Sequence, residues 1–305
     1  MISMRFHDFA LFSTLYPEGM KFFKPWYDSV LRQSSSDFDL WIGCDRISEC
    51  EISARAGVRP AATMIESKSG ESPIKLRERI FREIIKDGYE AIIFVDSDDV
   101  LIPTRVEYAI RAMRRFDVYG CGMILIDGSG NRIGREFQAP ETWNLSSDLV
   151  RNNIFGLSNT AYKTEMLKKS FPFQEDCVLL DWYLATLSWC NQATFYFDKT
   201  IQMEYRQYSN NVARCVPPFS HDQILAATRR VLRHYDCVLQ SLCTYDRRKK
   251  DKICQAKIYV AAFYDSITMS ADILSAYTTK LNELPVDHIW WSCVAHPVLE
   301  EIWRT

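Results

Sequence analysis

The chain has 305 residues, which is long enough for one large α/β domain plus an appendage. Its composition, 47% hydrophobic and 25% charged, is ordinary for a soluble globular protein, and its net charge of −2 gives no general attraction to nucleic acid. The ten cysteines contain no C-x-x-C pair and no metal-type spacing, so we interpret them as reduced thiols of a cytoplasmic protein.

The start of the chain and its hydropathy bear on targeting. Residues 1–12 are interrupted by Arg5, His7 and Asp8, so we expect no signal peptide there. No stretch approaches the ~20 consecutive apolar residues that a transmembrane helix needs. We therefore expect a cytoplasmic protein, which could still contact the inner face of the membrane peripherally.

Strand patterns and helix patterns alternate over the first part of the chain. Short apolar runs predict strands, and amphipathic or charged runs predict helices. The strands are predicted over residues 9–12, 38–43, 92–95 and 118–126, and the helices over 27–33, 74–86 and 105–115. Alternation of this kind predicts an α/β fold with a doubly wound, mostly parallel sheet.

The middle of the chain is less regular. The elements predicted here are a short helix over 163–169, a longer helix over 178–189, a strand over 195–197 and a polar loop over 205–212. Asp181 lies near the start of the longer helix, where the helix dipole stabilises a carboxylate. A purely structural role for Asp181 is therefore one interpretation of its position.

After residue 216 the apolar residues recur at helical intervals. Ser220 and Gln223 have the spacing of a capping box, and a second periodic run over residues 253–277 predicts one long helix of roughly seven turns. The basic run 247–250 is predicted to lie between the helices. It could be a solvated turn or a contact for anionic lipid headgroups. We predict a domain of residues 1–215 and a helical C-terminal appendage of residues 216–305, packed on the domain or on a second copy of the chain.

Three carboxylates follow the predicted strand 92–95. Asp96, Asp98 and Asp99 lie at the carboxyl end of this strand, where open α/β sheets place their ligands. Like charges this close raise one another's pKa unless a cation or hydrogen-bond donors offset them. All-oxygen ligation suits Mg²⁺ or Mn²⁺ shared with phosphate oxygens. One acid would be enough to cap the helix that follows, so the cluster predicts a site for a metal ion and a phosphate.

Three known motifs compete for this cluster. The order D-x-D-x-V fits a haloacid dehalogenase-type phosphatase, in which Asp96 would be the nucleophile, but the sequence after residue 100 lacks the late G-D-x-x-x-D motif of that fold. Asp96, Asp98 and Glu107 fit positions 1, 3 and 12 of a calcium loop, but Leu101 stands where that loop needs glycine. The third motif is the D-x-D of nucleotide-sugar glycosyltransferases.

Further motifs distinguish among these alternatives. They are S-T-L-Y at residues 13–16, S-V-L-R-Q at 29–33, W-I-G-C-D at 41–45, F-V-D-S-D-D-V-L-I-P at 94–103, L-D-W-Y-L at 180–184 and Y-R-Q-Y-S-N-N at 205–211. In order and spacing, they resemble the family 2 glycosyltransferases with the GT-A-type fold, over about the first 215 residues.

The resemblance implies a reaction and its partners. A sugar would pass, with inversion, from a nucleotide-diphosphate sugar, most simply a UDP-sugar, to a hydroxyl group. The acceptor would be a glycan or a lipid-linked or protein-linked hydroxyl, in the synthesis of a cell-surface polysaccharide or another glycan. The cofactor would be Mn²⁺ or Mg²⁺. Nucleic acid is not an expected partner.

The resemblance also assigns roles to individual residues. Asp98 would bind the metal ion, and Asp99 would support its coordination. Asp181 would be the general base that takes the proton of the acceptor hydroxyl. The implied donor-binding residues are Ser13, Asp45 at the base, Arg79 (with Arg77 as the alternative) and Asp96 at the ribose, with Asn159 and Arg206 as contacts to the diphosphate or the acceptor.

Two positions depart from the pattern of the family. Leu180 stands where the family usually has Glu, which removes an acidic neighbour of Asp181 and leaves open a non-catalytic sugar-nucleotide-binding protein. Tyr208 stands where the family often has His, which puts a histidine ligand to the metal in doubt, although His221 could substitute. The C-terminal helices could also join two copies of the chain.

Overall fold

The computed structural model describes residues 6–208, 211, 213–242, 246–285 and 289–304. Within these ranges the chain forms a nine-stranded sheet with helices packed against it. The strands are β1 (Phe9–Leu15), β2 (Asp39–Cys44), β3 (Thr63–Glu66), β4 (Ala91–Phe94), β5 (Val100–Leu101), β6 (Val118–Ile126), β7 (Arg132–Phe137), β8 (Thr160–Lys163) and β9 (Phe195–Arg206). The helices are α1 (Phe23–Leu31), α2 (Glu49–Ala56), α3 (Pro73–Lys86), α4 (Arg105–Met113), α5 (Leu145–Asp148), α6 (Thr164–Lys168), α7 (Leu180–Cys190), α8 (His221–Ser241), α9 (Arg247–Met269), α10 (Ala271–Glu283) and α11 (Glu300–Trp303).

The strand order places a parallel half beside a mixed half. The order is β3-β2-β1-β4-β8-β6-β9-β5, with β7 paired to β6. The neighbours from β3 to β4 are parallel, and so are β6 and β9. The antiparallel pairs are β4 with β8, β6 with β8, β6 with β7 and β5 with β9. The predicted fold class, an α/β fold with a mostly parallel sheet and a helical C-terminal region, is confirmed.

The central strands explain where the site forms. Every residue of β1 and of β4 is buried, as expected for strands that read as continuous hydrophobic runs. In the parallel register Leu15 pairs with Cys44, and Phe12 pairs with Phe94. The segments that leave β1, β2 and β4 therefore emerge together at one edge of the sheet. This is the edge at which open α/β sheets place ligands.

Several predicted elements differ from the structure. The strand predicted over 118–126 has the bounds of β6, whereas α1 begins at Phe23 instead of residue 27. The prediction of a polar loop from residue 205 was wrong for Tyr205 and Arg206, because β9 extends along β6 and pairs through both of them. Residues 209, 210 and 212 of that predicted loop lie outside the described residues. Sequence analysis missed the strands β3, β5, β7 and β8 and the short helices α2, α5 and α11.

The predicted seven-turn helix consists of two helices. Ser270 is extended, with φ −136° and ψ 115°, and its hydroxyl accepts a hydrogen bond from Ile273 N–H, so it caps α10. The basic run 247–250 was also misplaced, since it forms the first turn of α9 instead of a connection between helices. Its Lys249 Nζ donates to the Trp189 carbonyl at 2.6 Å.

The C-terminal part packs on the sheet-containing part. Tyr235 Oη, on α8, donates to the Val150 carbonyl at 2.7 Å, and Asn153 N–H donates to the Trp290 carbonyl at 3.2 Å. One continuous hydrophobic core includes residues from both parts. The division at residues 215 and 216 remains a proposal.

Two other predictions concern the thiols and the membrane. Each of the nine cysteines that the structure describes carries a free thiol, and eight of the nine are buried or partly buried. Among the described residues, no helix combines the length and the apolar character that crossing a bilayer requires.

Candidate functional site

A cavity of about 320 Å³ opens at the carboxyl ends of β1 and β4. Segments that are far apart in the sequence meet in its wall, from the end of β4, from α3, from the start of α7, from the segment after β9 and from the C-terminal tail. Its lining includes Tyr16, Arg77, Asp96, Asp98, Ser158, Asp181, Tyr205, Tyr208, Asn211, Trp290 and Trp291.

Asp96 is the first carboxylate of the acidic cluster and lines the cavity. It follows β4, where Val95 N–H donates to the Phe12 carbonyl at 3.1 Å and so continues the pairing with β1. Burial and the neighbouring Asp98 carboxylate raise the pKa of Asp96 to about 7, and Arg77 opposes this shift. A group that binds Asp96 as an anion must therefore supply positive charge or hydrogen-bond donors.

Asp98 also lines the cavity, and Tyr208 holds its carboxylate. Tyr208 Oη donates to Asp98 Oδ2 at 2.9 Å. Burial raises the pKa of Asp98, whereas the Tyr208 hydroxyl, Arg206 and Lys21 lower it. The residue that replaces the expected histidine therefore acts here as a hydrogen-bond donor to Asp98. His221, the suggested substitute, does not line the cavity.

Asp99 anchors the loop that carries the other two acids. Its side chain is only 1% exposed. Oδ2 accepts from the Ser158 hydroxyl, and Oδ1 accepts from Arg206 N–H at 2.7 Å. Burial and the two neighbouring carboxylates nevertheless raise its pKa well above the ordinary value. Asp99 thus ties the acidic loop to β9, in keeping with the supporting role predicted for it, which remains a prediction.

Asp181 lies at the second position of α7 and lines the same cavity. Asn153 Nδ2 donates to Asp181 Oδ2 at 3.1 Å. Burial raises the pKa of Asp181 to about 6, although the Trp182 N–H, Asn153 and Arg77 all favour the charged form. The stabilisation that a helix N-terminus gives a carboxylate is therefore outweighed by desolvation. At neutral pH Asp181 remains mostly ionised, as a general base must be.

The structure distinguishes Arg77 from Arg79. Arg77 lines the cavity, lowers the pKa of both Asp96 and Asp181, and has a buried Nε–H without an acceptor among the described residues. Arg79 does not line the cavity, because Glu71 binds its guanidinium in a bidentate ion pair at 2.9 and 2.6 Å. The arginine placed to meet a ligand in the cavity is Arg77.

Ser13 and Asp45 lie at the same sheet edge but outside the cavity lining. Both are buried, at 1% and 5% exposure. Ser13 Oγ and Asp45 Oδ1 have no hydrogen-bond partner among the described residues. Arg46 Nε lies 3.6 Å from the other Asp45 oxygen. The structure therefore places them beside the acidic cluster without bringing them into direct contact with it.

Asn159 and Arg206 are internal to the protein and do not line the cavity. Asn159 Nδ2 donates to the Cys121 and Ile154 carbonyls, at 2.8 and 3.1 Å, and its Oδ1 accepts from Gly156 N–H. Arg206 donates to the carbonyls of Asp98, at 2.7 Å, and Asp127, at 3.0 Å. Both side chains position the loops around the site, so the direct ligand contacts predicted for them have no support in this placement.

Sequence analysis did not assign Ser158, Trp290 and Trp291 to the site. Ser158 is the neighbour of Asn159, which the sequence analysis did predict as a site residue. Trp290 and Trp291 were missed because nothing near them in the sequence indicates where the C-terminal tail docks. The Trp290 indole fits against Gly156, where any Cβ atom would collide with it, and its Nε1–H donates to Tyr205 Oη at 3.2 Å.

The donor set determines whether a metal ion fits. Among the described residues no three His, Cys, Asp or Glu side chains are grouped so as to hold a metal ion by themselves. Asp96 and Asp98 line one cavity, however, and burial raises the pKa of both. Mg²⁺ is commonly held by one or two carboxylates, with water and substrate phosphates completing its coordination. The residues therefore fit a divalent ion that arrives with a phosphate ligand.

Comparison with known proteins establishes the fold. No protein-family model matches the chain, and no curated protein matches it in sequence. A match among solved structures is S. aureus TarS, with 15% identity and a TM-score of 0.57, over 83% of this chain and 43% of the TarS chain. The chain thus covers less than half of that protein.

Two further matches are complexes. Residues 1–349 of S. aureus TarS with UDP-GlcNAc match with 16% identity and a TM-score of 0.57, over 82% of this chain and 71% of theirs. The mannosyltransferase PcManGT from Pyrobaculum calidifontis, in complex with GDP-Man and Mn²⁺, matches with 13% identity and a TM-score of 0.59, over 91% of this chain and 81% of that chain. The chain therefore shares a fold with these proteins.

Proposed function

We propose that the protein transfers a sugar from a nucleotide-diphosphate sugar to an acceptor hydroxyl, with inversion at the anomeric carbon. The observation that carries the proposal is that Asp96, Asp98 and Asp181 line one cavity together with Arg77. Such a site offers a pair of acids for a metal-bound diphosphate and a separate acid for a proton. Solved structures of the same fold that hold UDP-GlcNAc or GDP-Man support the choice of donor class.

The donor would lie along the carboxyl edge of the parallel half of the sheet. Asp45 and Ser13 would contact the nucleoside, since both are buried at this edge and have polar atoms without partners among the described residues. Asp96 would lie towards the ribose. We assign the arginine of the donor site to Arg77 instead of Arg79, because Glu71 occupies the Arg79 guanidinium. A UDP-sugar is the first donor to test.

Asp98, with Asp96, would hold a Mn²⁺ or Mg²⁺ ion together with the diphosphate oxygens. Such an ion, when bound, supplies positive charge for the departing nucleoside diphosphate. Arg77 lies where it could bind the same phosphates as a fixed cation. Asp99 would keep the acidic loop in place through its bonds to Ser158 and Arg206 N–H.

Asp181 would act as the general base. The acceptor oxygen attacks the anomeric carbon, the bond from that carbon to the phosphate oxygen breaks, and the acceptor proton passes to Asp181. The nucleoside diphosphate leaves with the bonding electron pair. Asn153 would fix the carboxylate through its 3.1 Å hydrogen bond. A pKa of about 6 leaves Asp181 ionised at neutral pH and more basic than an exposed carboxylate.

Two measurements test this proposal. Thermal unfolding with UDP- and GDP-sugars, with and without Mn²⁺, should reveal a donor by a rise in melting temperature, because a ligand of the native state stabilises it. Slow release of nucleoside diphosphate from that donor should then depend on the metal. A phosphatase that used Asp96 as its nucleophile would instead be stabilised by beryllofluoride and would form an acyl-phosphate at Asp96. That result would overturn the proposal, and donor binding without turnover would favour a non-catalytic binding protein.

The cellular role rests on the family resemblance alone. We propose synthesis of a cell-surface polysaccharide or another glycan, in the cytoplasm or at the inner face of the membrane.

A further inference from the structure

A second cavity, of about 240 Å³, adjoins the first. Asn211 and Trp291 line both cavities, so the two share a wall. The second cavity lies between the segment after β9, the first turns of α8 and the C-terminal tail. Its other principal side chains are those of Arg214, Phe219, Asp222 and Arg230. An acceptor whose hydroxyl reaches Asp181 could therefore extend into this cavity.

The sign of the charge differs between the two cavities. The first is lined by three carboxylates and one arginine. The second is lined by Arg214 and Arg230, with Asp222 as its one acid among the described residues, and Asp222 is exposed. A ligand that spans both would meet acids at the reacting end and guanidinium groups at the other end.

Arg214 is well placed to meet a ligand. Its Nε–H donates to the Val216 carbonyl at 2.7 Å, which fixes the side chain. In the described part of the chain no carboxylate lies within ion-pair distance of its guanidinium. A guanidinium held in this way is suited to bidentate recognition of a carboxylate or a phosphate.

Trp291 gives a second, independent indication of a ligand. The residue is 4% exposed and lines both cavities, yet its buried Nε1–H has no acceptor among the described residues. A buried donor without an acceptor costs free energy, so a ligand or water oxygen is the expected partner. Its backbone is also held at φ +70°, with Val294 N–H donating to its carbonyl at 3.0 Å. Such strained positions concentrate at functional sites.

We propose that the second cavity is an acceptor subsite that binds a negatively charged group of the acceptor. This inference rests on the proposed glycosyltransferase function. The group is a carboxylate, as in a uronic acid, or a phosphate, as in a polyol phosphate. Arg214, with Arg230, binds the anion, and the rings of Trp291 and Phe219 supply the apolar surface beside it. The acceptor hydroxyl then lies in the first cavity near Asp181.

The test measures binding of small probes without donor. Methyl glucuronide is compared with methyl glucoside, and glycerol phosphate with glycerol, by ligand-observed NMR titration. We expect at least one charged probe to bind ~10-fold more tightly than its neutral counterpart, with the difference shrinking as salt screens the charges. The pair that shows the difference identifies the carboxylate or the phosphate as the anion.

Arginine variants test whether the preference for charged probes arises in the second cavity. Arg214→Gln should abolish the preference for the charged probe, and Arg230→Gln serves if the first variant does not fold. The control is Arg229→Gln, an exposed neighbour on α8 that does not line the cavity. Equal binding of charged and neutral probes, or an equal loss in the control, would overturn the subsite.

Donor hydrolysis separates this inference from the proposed function. Arg214→Gln should leave metal-dependent release of nucleoside diphosphate unchanged, because Arg214 does not line the first cavity. If no donor is hydrolysed, the glycosyltransferase proposal fails whatever the probes do. If the donor is hydrolysed but the charged probes show no preference, only the anionic subsite fails.

Discussion

Replacing Asp181 by Asn tests the proposed base and its environment together. Asn has nearly the same shape and carries no charge, and it can still accept the hydrogen bond from Asn153. As general base, Asp181 contributes in the transition state, so Asp181→Asn should lower the rate of transfer by ~10²–10⁴-fold. Donor affinity should be unchanged, because the carboxylate is assigned to the acceptor side.

The same variant should be more stable than the wild type above neutral pH. Burial raises the pKa of Asp181 from 3.8 to about 6, so the folded protein holds the proton more tightly than the unfolded chain does. The cost of the buried charge is therefore fully present above the folded pKa and disappears as the pH falls from about 6 towards 3.8. About two pKa units correspond to at most about 3 kcal/mol. Removing the charge should raise the melting temperature by several degrees near pH 8 and hardly at all near pH 4.

The assay combines thermal unfolding at several pH values with the transfer rate and donor affinity. Asp272→Asn is a matched control, because Asp272 occupies the same second position of α10 but is exposed. Replacing the Asp272 carboxylate should lower the free energy of unfolding by about 0.3–1 kcal/mol, because the interaction of its charge with the helix dipole is lost. Near-normal transfer by Asp181→Asn would leave the enzyme without an identified base. A lower melting temperature than wild type near pH 8 would refute the account of its burial.

Two further predictions concern the acidic loop and the tail. Asp98→Asn should abolish the metal dependence of donor binding. It should also raise the stability of the metal-free protein, because it removes one of three crowded charges. Unchanged metal dependence in a donor titration would contradict the assignment of Asp98 to the metal. Gly156→Ala should destabilise the protein by about 1–3 kcal/mol in chemical unfolding, because the added Cβ would collide with the Trp290 indole. The control is Gly128→Ala, which should leave the stability unchanged because the nearest atom to its added Cβ would be 3.8 Å away.

The sequence predicted three of the four strands in the parallel half of the sheet, β1, β2 and β4, and fewer of the strands in the mixed half. β4 was recognisable because a buried strand of a parallel sheet is a continuous apolar run, and here the run ends in three acids. β9 was largely missed because seven of its twelve residues are exposed or partly exposed and because its pairing with β6 is a long-range contact. The break at Ser270 was missed because the apolar spacing continues across it, and only the capping serine marks it.

In the candidate site, too, some residues could be predicted from the sequence and others could not. The acids at strand and helix ends could be placed because the register of parallel strands brings their carboxyl ends together. Arg77 and Arg79 could not be separated, since both lie on α3 and only the ion pair with Glu71 shows which one is occupied. The two tryptophans of the tail could not be placed at all, because nothing near them in the sequence specifies the surface on which they pack.

Asn153 connects that tail to the proposed base. It is fully buried, and its N–H donates to the Trp290 carbonyl while its side chain donates to both Asp181 Oδ2 and the Phe155 carbonyl. The position of the Asp181 carboxylate therefore depends on a residue whose own backbone is held by the C-terminal segment. Trp290 also packs against Gly156, two residues before the Ser158 that holds Asp99. The division at residue 215 thus separates two kinds of secondary structure, whereas the site depends on residues from both sides of it.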